Sequence, residues 1–453
     1  MGKKFENCEV KITDIEFPNK GIGIWEDKTV FVKNTIPGQI VLADVKKKRQ
    51  KYEGRLKEIL QRADYEGEAD CEYFELCGGC TYRTISYEKE LEFKRNNVLR
   101  LLAEGGIEGF VYDGIKGSPD VYGYRNKMEF SFGDNGEAGK LCLGMRKRNS
   151  NYEVVNADKC KLTHPDVGKI VACTLNFFRN TDEKFYHKMR HTGTLRHLLV
   201  RRGFFSGQIL VGIVTTSEVK ADLTKLADEL LKLNLDGEIE GVLHIINDGV
   251  ADVVKADKTD ILYGRDWFEE SLLGLKFKVS IFSFFQTNSA GAEVLYSTVR
   301  DYAGDCSDKV VFDMYCGTGT IAQLMSNKAS KVVGIELVEE AVEAAKANAD
   351  LNGIDNCEFI AGDVLKMVDS LTDKPDIMVL DPPREGIHPK AVDKLAAFGA
   401  DKIVYVSCKA SSLAKDLAAL QNLGHKVERI ANVDMFPRTY HVETVVLLSH
   451  KKN

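Results

Sequence analysis

From about residue 281 onward, short apolar runs alternate with helical segments, a pattern typical of a doubly wound parallel sheet. Val310–Asp313 predicts the first strand, and Ile321–Ser326 predicts a helix after the glycine loop Cys316-Gly-Thr-Gly319. Val332–Glu336 predicts the second strand. Because the carboxyl ends of parallel strands meet at one edge of a sheet, we expect a ligand crevice there. Residues 281–453 are therefore predicted to form an α/β domain.

The loop Asp313-Met-Tyr-Cys-Gly-Thr-Gly-Thr320 predicts a nucleotide-cofactor site at this edge. Glu336 ends the second strand, where a carboxylate can accept hydrogen bonds from a ribose. Asp363 follows the third predicted strand, and Asp381 follows the fourth in Asp381-Pro-Pro-Arg384. The loop lacks the Gly-x-Gly-x-x-Gly spacing of dinucleotide sites. S-adenosylmethionine (SAM) is therefore predicted rather than NAD.

A thiol and a carboxylate lie downstream of this loop, Cys408 in Ser407-Cys-Lys409 and Glu443 in His441-Val-Glu-Thr444. Beside a methyl donor they indicate carbon methylation, because C5 of a pyrimidine is a poor nucleophile until a thiolate adds at C6. We predict that Cys408 is this nucleophile and that Glu443 removes the C5 proton. Arg384 or Lys409 is expected to favour the thiolate. Cys316 is a rival nucleophile, but it lies within the cofactor loop.

Three cysteines in Cys71-Glu-Tyr-Phe-Glu-Leu-Cys77-Gly-Gly-Cys80 predict a metal site, with Cys160 as the fourth ligand. Both zinc and an iron–sulfur cluster accept four cysteines, and the uneven spacing differs from the paired knuckles usual for zinc. The pattern alone leaves both open. Eleven cysteines, an odd number in a long chain, indicate a reducing compartment rather than a disulfide framework. A cytoplasmic protein is expected.

The sequence before residue 281 divides into two further predicted domains. Residues 1–62 read as a small β-barrel, with strands at Val10–Ile15, Gly21–Trp25, Val30–Val32, Ile40–Val45 and Arg55–Leu60. Residues 63–280 read as a central α+β domain that carries the cysteines. Its helices are predicted at Tyr87–Ala103 and Lys220–Leu233, and its strands at Met128–Phe132, Leu141–Gly144, Leu198–Arg201, Gln208–Thr215 and Gly241–Ile246.

The net charge of -6 is unevenly distributed. Residues 1–62 hold 14 Lys and Arg against 9 Asp and Glu, and residues 121–202 hold 16 against 8. Lys46-Lys-Lys-Arg49 and the arginines 196, 201 and 202 are predicted phosphate contacts. No apolar run approaches the 18 residues that a membrane span requires. The sequence thus predicts an RNA-binding monomer without a membrane segment.

Five motifs together resemble the RNA (uracil-5)-methyltransferase family, which makes 5-methyluridine in ribosomal and transfer RNA. The motifs are Phe285-Gln-Thr-Asn288, Asp313-Met-Tyr-Cys-Gly-Thr-Gly, Asp381-Pro-Pro-Arg, Ser407-Cys-Lys409 and Asp434-Met-Phe-Pro-x-Thr-x-His-Val-Glu443. The resemblance implies a C-terminal Rossmann-like class I methyltransferase domain. The N-terminal barrel resembles a TRAM domain, an OB-like RNA-binding module. Ribosomal RNA, specifically 23S, is the preferred substrate on this basis, and transfer RNA is the alternative.

The resemblance also implies site residues. SAM would be contacted by Gln286, Tyr315, Thr320, Glu336, Asp363 and Asp381. A [4Fe-4S] cluster would be held by Cys71, Cys77, Cys80 and Cys160. Thr320 stands where some members have Asn.

Two other functions fit parts of the sequence. Asp381-Pro-Pro resembles the loop with which base-nitrogen methyltransferases hold an exocyclic amine, but Arg384 replaces the aromatic residue of that loop. Cys408 and Glu443 would then be unexplained. The second of these functions is that of an RNA-binding redox sensor with a catalytically inactive fold. The intact carboxylates of the cofactor loop disfavour it.

Overall fold

The computed structural model describes residues 4–136, 140–150, 152–251 and 254–450. Its strands form a closed barrel, a seven-stranded sheet, a two-stranded sheet and an eight-stranded sheet. No helix in this described part of the chain is long and apolar enough to cross a membrane.

The N-terminal barrel has five strands, as the sequence predicted, and their order is β1-β2-β3-β5-β4. They are β1 (Lys4–Glu16), β2 (Lys20–Trp25), β3 (Lys28–Lys33), β4 (Ile40–Lys48) and β5 (Lys51–Gln61). Alternate residues such as Val10, Val32 and Val41 fill the interior and are fully buried. The outward residues 46–50 are exposed, so the basic segment Lys46–Arg49 faces solvent.

A helix and a strand follow the cysteine motif: α1 (Tyr87–Glu104) and β6 (Val111–Lys116). Ser86 caps α1 by accepting a hydrogen bond from the backbone N–H of Lys89, at 3.2 Å.

The middle of the chain forms the seven-stranded sheet, with β13-β12-β11-β10-β7-β8-β9 as its order, and the hairpin β14-β15. The elements are β7 (Lys127–Gly133), β8 (Cys142–Arg146), β9 (Val154–Asn156), α2 (Pro165–Arg179), β10 (Leu195–Arg202), β11 (Gln208–Thr215), α3 (Leu223–Leu230), β12 (Glu238–Ile246), β13 (Lys258–Gly264), β14 (Trp267–Leu272) and β15 (Leu275–Ser280). All five strands predicted in this region are present. Three further strands, β13 to β15, and the short β9 were not predicted.

The remaining elements build the eight-stranded sheet and its helices. They are α4 (Ser289–Ala303), β16 (Val310–Met314), α5 (Thr320–Ser326), β17 (Lys331–Glu336), α6 (Glu339–Leu351), β18 (Cys357–Ala361), α7 (Val364–Met367), β19 (Ile377–Leu380), α8 (Pro389–Ala397), β20 (Lys402–Ser407), α9 (Ala410–Asn422), β21 (His425–Val433) and β22 (Glu443–His450). A 3-10 turn spans Val368–Ser370.

The eight strands lie in the order β18-β17-β16-β19-β20-β22-β21-β6. The first five are parallel to one another, as predicted, and β22 is antiparallel to both of its neighbours. The edge strand β6 pairs in parallel with β21. This sheet therefore contains one strand from the segment predicted as the central domain, and the boundary at residue 281 stays a prediction.

A buried ion network connects α1 to the segment before β22. The Lys94 ammonium lies 2.7 Å from Glu90 Oε1 and 2.7 Å from Asp434 Oδ1, and all three side chains are at most 1% exposed. Tyr87 donates to the other oxygen of Asp434, at 2.9 Å. These contacts connect helix α1 to Asp434, the first residue of the motif that ends at Glu443.

Lys94→Met should lower the free energy of unfolding by about 3–5 kcal/mol, because it leaves Asp434 buried without its cation and Glu90 with only the more distant Arg438 guanidinium, at 3.6 Å. The matched control is Lys89→Met on the same helix, where the partly exposed pair of Lys89 with Glu92 contributes about 0–1 kcal/mol. Urea unfolding followed by circular dichroism measures both. Equal losses in the two variants would contradict a special role for the buried network.

Candidate active site

The cofactor loop follows β16 and holds its shape by left-handed backbone and by carboxylates. Tyr315, Gly317 and Gly319 have φ of 68°, 54° and 73°. A Cβ at Gly319 would lie 2.7 Å from the ring of Phe359, so only glycine fits. Glu336 accepts hydrogen bonds from the backbone N–H groups of Gly317 and Val338, each at 3.0 Å.

Asp313 is fully buried beneath this loop. It accepts a hydrogen bond from the Ala322 N–H at 2.9 Å, which fixes the start of α5 against β16. Burial and the nearby Asp381 carboxylate raise the pKa of Asp313 well above its usual value. The second Asp313 oxygen has no partner in the described part of the chain.

The segment 284–288 lies across the loop from the sheet. The Phe284 ring is 65% exposed, and the Phe284 carbonyl accepts a hydrogen bond from Thr318 Oγ1 at 3.3 Å. The Gln286 carbonyl accepts from Asn126 Nδ2 at 2.9 Å, and Asn288 Nδ2 donates to the Met435 carbonyl at 3.0 Å. The Phe285–Asn288 motif thus contacts both the central sheet and the Asp434 motif.

Strand register brings the predicted nucleophile and base together. Ser407 at the end of β20 pairs with Thr444 near the start of β22, so Cys408 and Glu443, one step beyond that pair, adjoin each other. Leu380 pairs with Tyr405 on the other side of β20, which places Asp381 at the same edge.

The electrostatics confirm this proximity. Burial and the Glu443 carboxylate raise the pKa of Cys408 to about 11, and the Arg384 guanidinium opposes this rise. Burial and Asp381 raise the pKa of Glu443 to about 8, again opposed by Arg384. Burial raises the pKa of Asp381 to about 7. Arg384 and Lys409 were both predicted to favour the thiolate. Arg384 lowers the pKa of Cys408 through its charge and a side-chain hydrogen bond.

Cys316 is poorly suited to be the nucleophile. It is 8% exposed, and burial together with Asp313 and Glu336 raises the pKa of its thiol far above the ordinary value. His441 is neutral, because burial and the cationic Arg384 lower its pKa to about 4.

The other predicted cofactor residues surround the same crevice. Asp363 accepts a hydrogen bond from the Leu365 N–H at 3.0 Å and begins α7. Burial and Asp363 raise the pKa of Tyr315 to about 12. Thr320 is the first residue of α5 and is 8% exposed.

Sequence reasoning missed Tyr296. Burial and the Asp381 carboxylate raise the pKa of Tyr296 above the usual range. A hydrogen bond with Gln286 opposes this rise. It also missed Phe284 and Arg438. A tyrosine in the middle of a helix has the pattern of a core residue, so no local signal separates Tyr296 from packing residues.

Two of the arginines predicted to bind phosphate have structural roles instead. Arg196 is 3% exposed and donates to the carbonyls of Asn247, Gly249 and Ala251. Arg201 is fully buried and donates to the carbonyls of Ser280 and Ser283. The prediction is wrong for these two because strand β10 is central in its sheet.

The four cysteines of the predicted metal site lie near one another, as their mutual effects on pKa indicate. All are free thiols. In tetrahedral zinc, bonds of about 2.3 Å place the sulfurs roughly 3.8 Å apart. Within the described residues, however, the only ligand-type trio whose atoms all lie within 4.8 Å of one another is His164, Asp166 and Asp236.

A buried arginine adjoins these thiols. Arg83 binds Asp70 through Nη1 at 3.1 Å, and its Nε and Nη2 have no oxygen or nitrogen partner in the described chain. Its guanidinium forms a side-chain hydrogen bond with Cys80, and although burial opposes the rise, its interactions with Cys80, Asp70 and Cys71 raise the pKa of Arg83. Positive charge beside four spread thiols fits a group larger than one zinc ion and anionic in character.

Residues 87–451 match the family model described as tRNA (Uracil-5-)-methyltransferase. The chain belongs to this family. It is 51% identical over 450 residues to an uncharacterized RNA methyltransferase of Clostridium acetobutylicum, covering 99% of each chain. It is 48% identical over 446 residues to another from Caldanaerobacter subterraneus, covering 98% of this chain and 99% of that one.

The crystal structure of Pyrococcus abyssi tRNA (uracil-54, C5)-methyltransferase in complex with S-adenosyl-L-homocysteine is also similar. Its TM-score is 0.78 at 25% identity, and the match covers 97% of this chain and 99% of that chain. The protein is therefore a SAM-dependent RNA methyltransferase with a class I methyltransferase fold, as predicted.

Proposed function

We propose that this methyltransferase makes 5-methyluridine in RNA by covalent catalysis, with Cys408 as nucleophile and Glu443 as base. The observation that carries the proposal is the register of β20 against β22, which sets this thiol beside this carboxylate. Arg384 lies close enough to favour the charged forms of both.

Each residue has a defined part in the reaction. The Cys408 thiolate adds to C6 of an unstacked uracil, which converts C5 into an enolate carbon. That carbon forms a bond to the methyl group, and the electrons of the broken sulfur–methyl bond remain on S-adenosylhomocysteine. Glu443 takes the C5 proton, the C6–sulfur bond breaks, and Cys408 leaves as thiolate while the C5–C6 double bond is restored.

Two observations favour this chemistry over the alternatives. A base-nitrogen methyltransferase needs no thiol, whereas here the thiol adjoins a carboxylate whose pKa is raised to about 8, close to the value suited to a general base. A catalytically inactive redox sensor needs no carboxylates with a raised pKa at this edge of the sheet, yet the pKa values of Asp313, Asp381 and Glu443 are all raised.

The crevice residues Gln286, Tyr315, Thr320, Glu336, Asp363 and Asp381 are the proposed SAM contacts. Glu336 ends β17, where its carboxylate is placed to bind ribose hydroxyls, and Asp363 follows β18 at the same edge. Phe284 presents an exposed ring beside the loop, and we propose that this ring stacks on a base.

Cys71, Cys77, Cys80 and Cys160 are proposed to hold a [4Fe-4S] cluster. The wide separation of the thiols and the positive charge of Arg83 beside them support this assignment over zinc. The N-terminal barrel is proposed to be a TRAM domain, supported by its closed five-stranded form and its exposed basic segment at residues 46–49. A cytoplasmic monomer remains the expectation from the sequence.

The rate of 5-methyluridine formation should rise with pH. Both Cys408, whose pKa is raised to about 11, and Glu443, whose pKa is raised to about 8, must lose a proton before they act. In single-turnover assays we expect at least a tenfold rise between about pH 6.5 and 8.5. A flat or falling profile would contradict these assignments.

Ribosomal RNA is the proposed substrate from the sequence resemblance. Transfer RNA is the second candidate, favoured by the description of the matching family model and by the activity of the Pyrococcus abyssi relative. Mass-spectrometric mapping of 5-methyluridine in cells with and without the gene tests both. Loss in ribosomal RNA supports the first, and loss only in transfer RNA supports the second. Unchanged 5-methyluridine with a missing N-methyl base would overturn the chemistry.

A further inference from the structure

Arg438 occupies a position that the motif Asp434-Met-Phe-Pro-x-Thr-x-His-Val-Glu443 leaves open. It is 9% exposed and has φ of 68°, an uncommon conformation for a residue with a side chain. Its N–H donates to Glu90 Oε1 at 2.7 Å. The residue is therefore held by its surroundings rather than by its own backbone preference.

Most bonds of Arg438 go to the segment that directly follows Cys80. Its carbonyl accepts from the N–H groups of Thr81 and Tyr82, at 2.8 and 3.3 Å. Its Nη1 donates to the carbonyls of Tyr82 and Ile85, at 3.2 and 2.9 Å. Four hydrogen bonds thus join one residue of the catalytic motif to residues 81–85.

Tyr122 forms a second connection between the two segments. Its hydroxyl accepts a hydrogen bond from Arg438 Nη2 at 3.2 Å and donates to Asp70. Its ring lies 5.5 Å from the Arg438 guanidinium and 5.3 Å from that of Arg83. The same Arg83 binds Asp70 and adjoins Cys80, so the network extends from the cysteine loop, residues 70–85, to the catalytic motif.

The position of Glu443 depends on this segment. Only four residues separate Arg438 from Glu443, and between them Val442 is 3% exposed and packs in the core. Glu443 itself begins β22 next to Cys408. A shift of the backbone at Arg438 is therefore transmitted to the base over a short and well-packed stretch.

We propose that Arg438 is a positioning residue through which the cysteine loop holds Glu443 in register with the target uracil. This proposal rests on the function proposed above. It assigns the cysteine loop a role in proton removal, the step that follows methyl transfer. Arg438 does not touch the reacting atoms and acts through the backbone of residues 438–443.

The test is Arg438→Met, with Arg429→Met as the matched control. Arg429 is a partly exposed arginine on β21 that pairs with Asp113 and Asp301. Because a misplacement of about 1 Å can cost roughly 100-fold in rate, we expect kcat of Arg438→Met to fall about 100-fold. The KM for RNA and the SAM dissociation constant should stay within about threefold. A covalent protein–RNA adduct should accumulate on denaturing gels, whereas Arg429→Met should resemble the wild type.

Tyr122→Phe is a milder variant, because it removes one hydroxyl and keeps the ring between the two guanidinium groups. It should show the same adduct at a lower level. Loss of SAM binding in parallel with kcat, or a slow Arg438→Met enzyme without adduct, would overturn the positioning role. If the wild-type enzyme makes no 5-methyluridine, the proposed function itself fails, which is a separate outcome.

Discussion

Cys408→Ala is expected to abolish 5-methyluridine formation, with a loss of at least about 10⁴-fold in kcat, because it removes the thiolate that adds to C6. Cys316, a thiol within the loop, is buried, and burial together with the Asp313 and Glu336 carboxylates raises its pKa far above the ordinary value. The dissociation constant for SAM should stay within about threefold of the wild-type value, because Cys408 follows β20 and is not part of the cofactor loop after β16. Calorimetry with SAM and a tritium-release assay measure the two effects.

The control for Cys408→Ala is Cys173→Ala, which removes a partly buried thiol from α2, in the central part of the chain. This variant should retain wild-type kcat. RNA containing 5-fluorouridine provides a second readout, because fluorine cannot leave C5 as a proton does and the adduct persists. The wild type and Cys173→Ala should form that adduct, and Cys408→Ala should not. Residual 5-methyluridine formation above a few per cent in Cys408→Ala would show that another group is the nucleophile.

The parallel sheet could be predicted from sequence because its strands are buried on both faces and read as continuous apolar runs. Ile377–Leu380, for example, is fully buried along its length. The barrel was predictable because apolar residues alternate along its strands, as in β1 and β4, and turn residues separate them. The strand β13 was missed because Lys258–Gly264 is mostly exposed and has no buried apolar face that would mark it as a strand.

The edge strand β6 shows where sequence reasoning stops. Val111–Lys116 is short and mostly exposed, and its partner β21 lies more than 300 residues away. No local pattern specifies so distant a pairing. The predicted phosphate contacts at Arg196 and Arg201 were wrong for a related reason: charge is visible in the sequence, whereas the carbonyls that satisfy these guanidinium groups come from distant loops.

The site was more predictable than these features because chemistry restricts the residue types. The sequence indicated a thiol after one predicted strand and a carboxylate before another, and the strand register then showed that the two are adjacent. What could not be predicted is the effect of their surroundings. The pKa of Glu443 is raised to about 8 by burial and by Asp381, and both causes depend on side chains that only the folded sheet brings together.

Glu443→Gln should trap the enzyme on its RNA after methyl transfer. Glutamine keeps the size of the side chain but cannot accept the C5 proton, so the C6–sulfur bond to Cys408 has no route to break. We expect one methyl group transferred per enzyme molecule, an adduct that survives denaturation, and free 5-methyluridine reduced at least about 100-fold. Mass spectrometry of the digested adduct should find the methylated nucleotide on the peptide that contains Cys408.

Two further variants make the Glu443 result specific. Cys408→Ala combined with Glu443→Gln should give no adduct, which shows that the trapped bond is to this thiol. Glu443→Asp keeps a carboxylate but withdraws it by one methylene, so it should release product slowly and accumulate less adduct than Glu443→Gln. Because the adduct forms before Glu443 removes the C5 proton, the pH dependence of adduct formation in Glu443→Gln should follow the ionisation of Cys408 and show no inflection near pH 8. Release of free product by Glu443→Gln at the wild-type rate would exclude Glu443 as the base and direct attention to Asp381, another carboxylate at this edge whose pKa is raised.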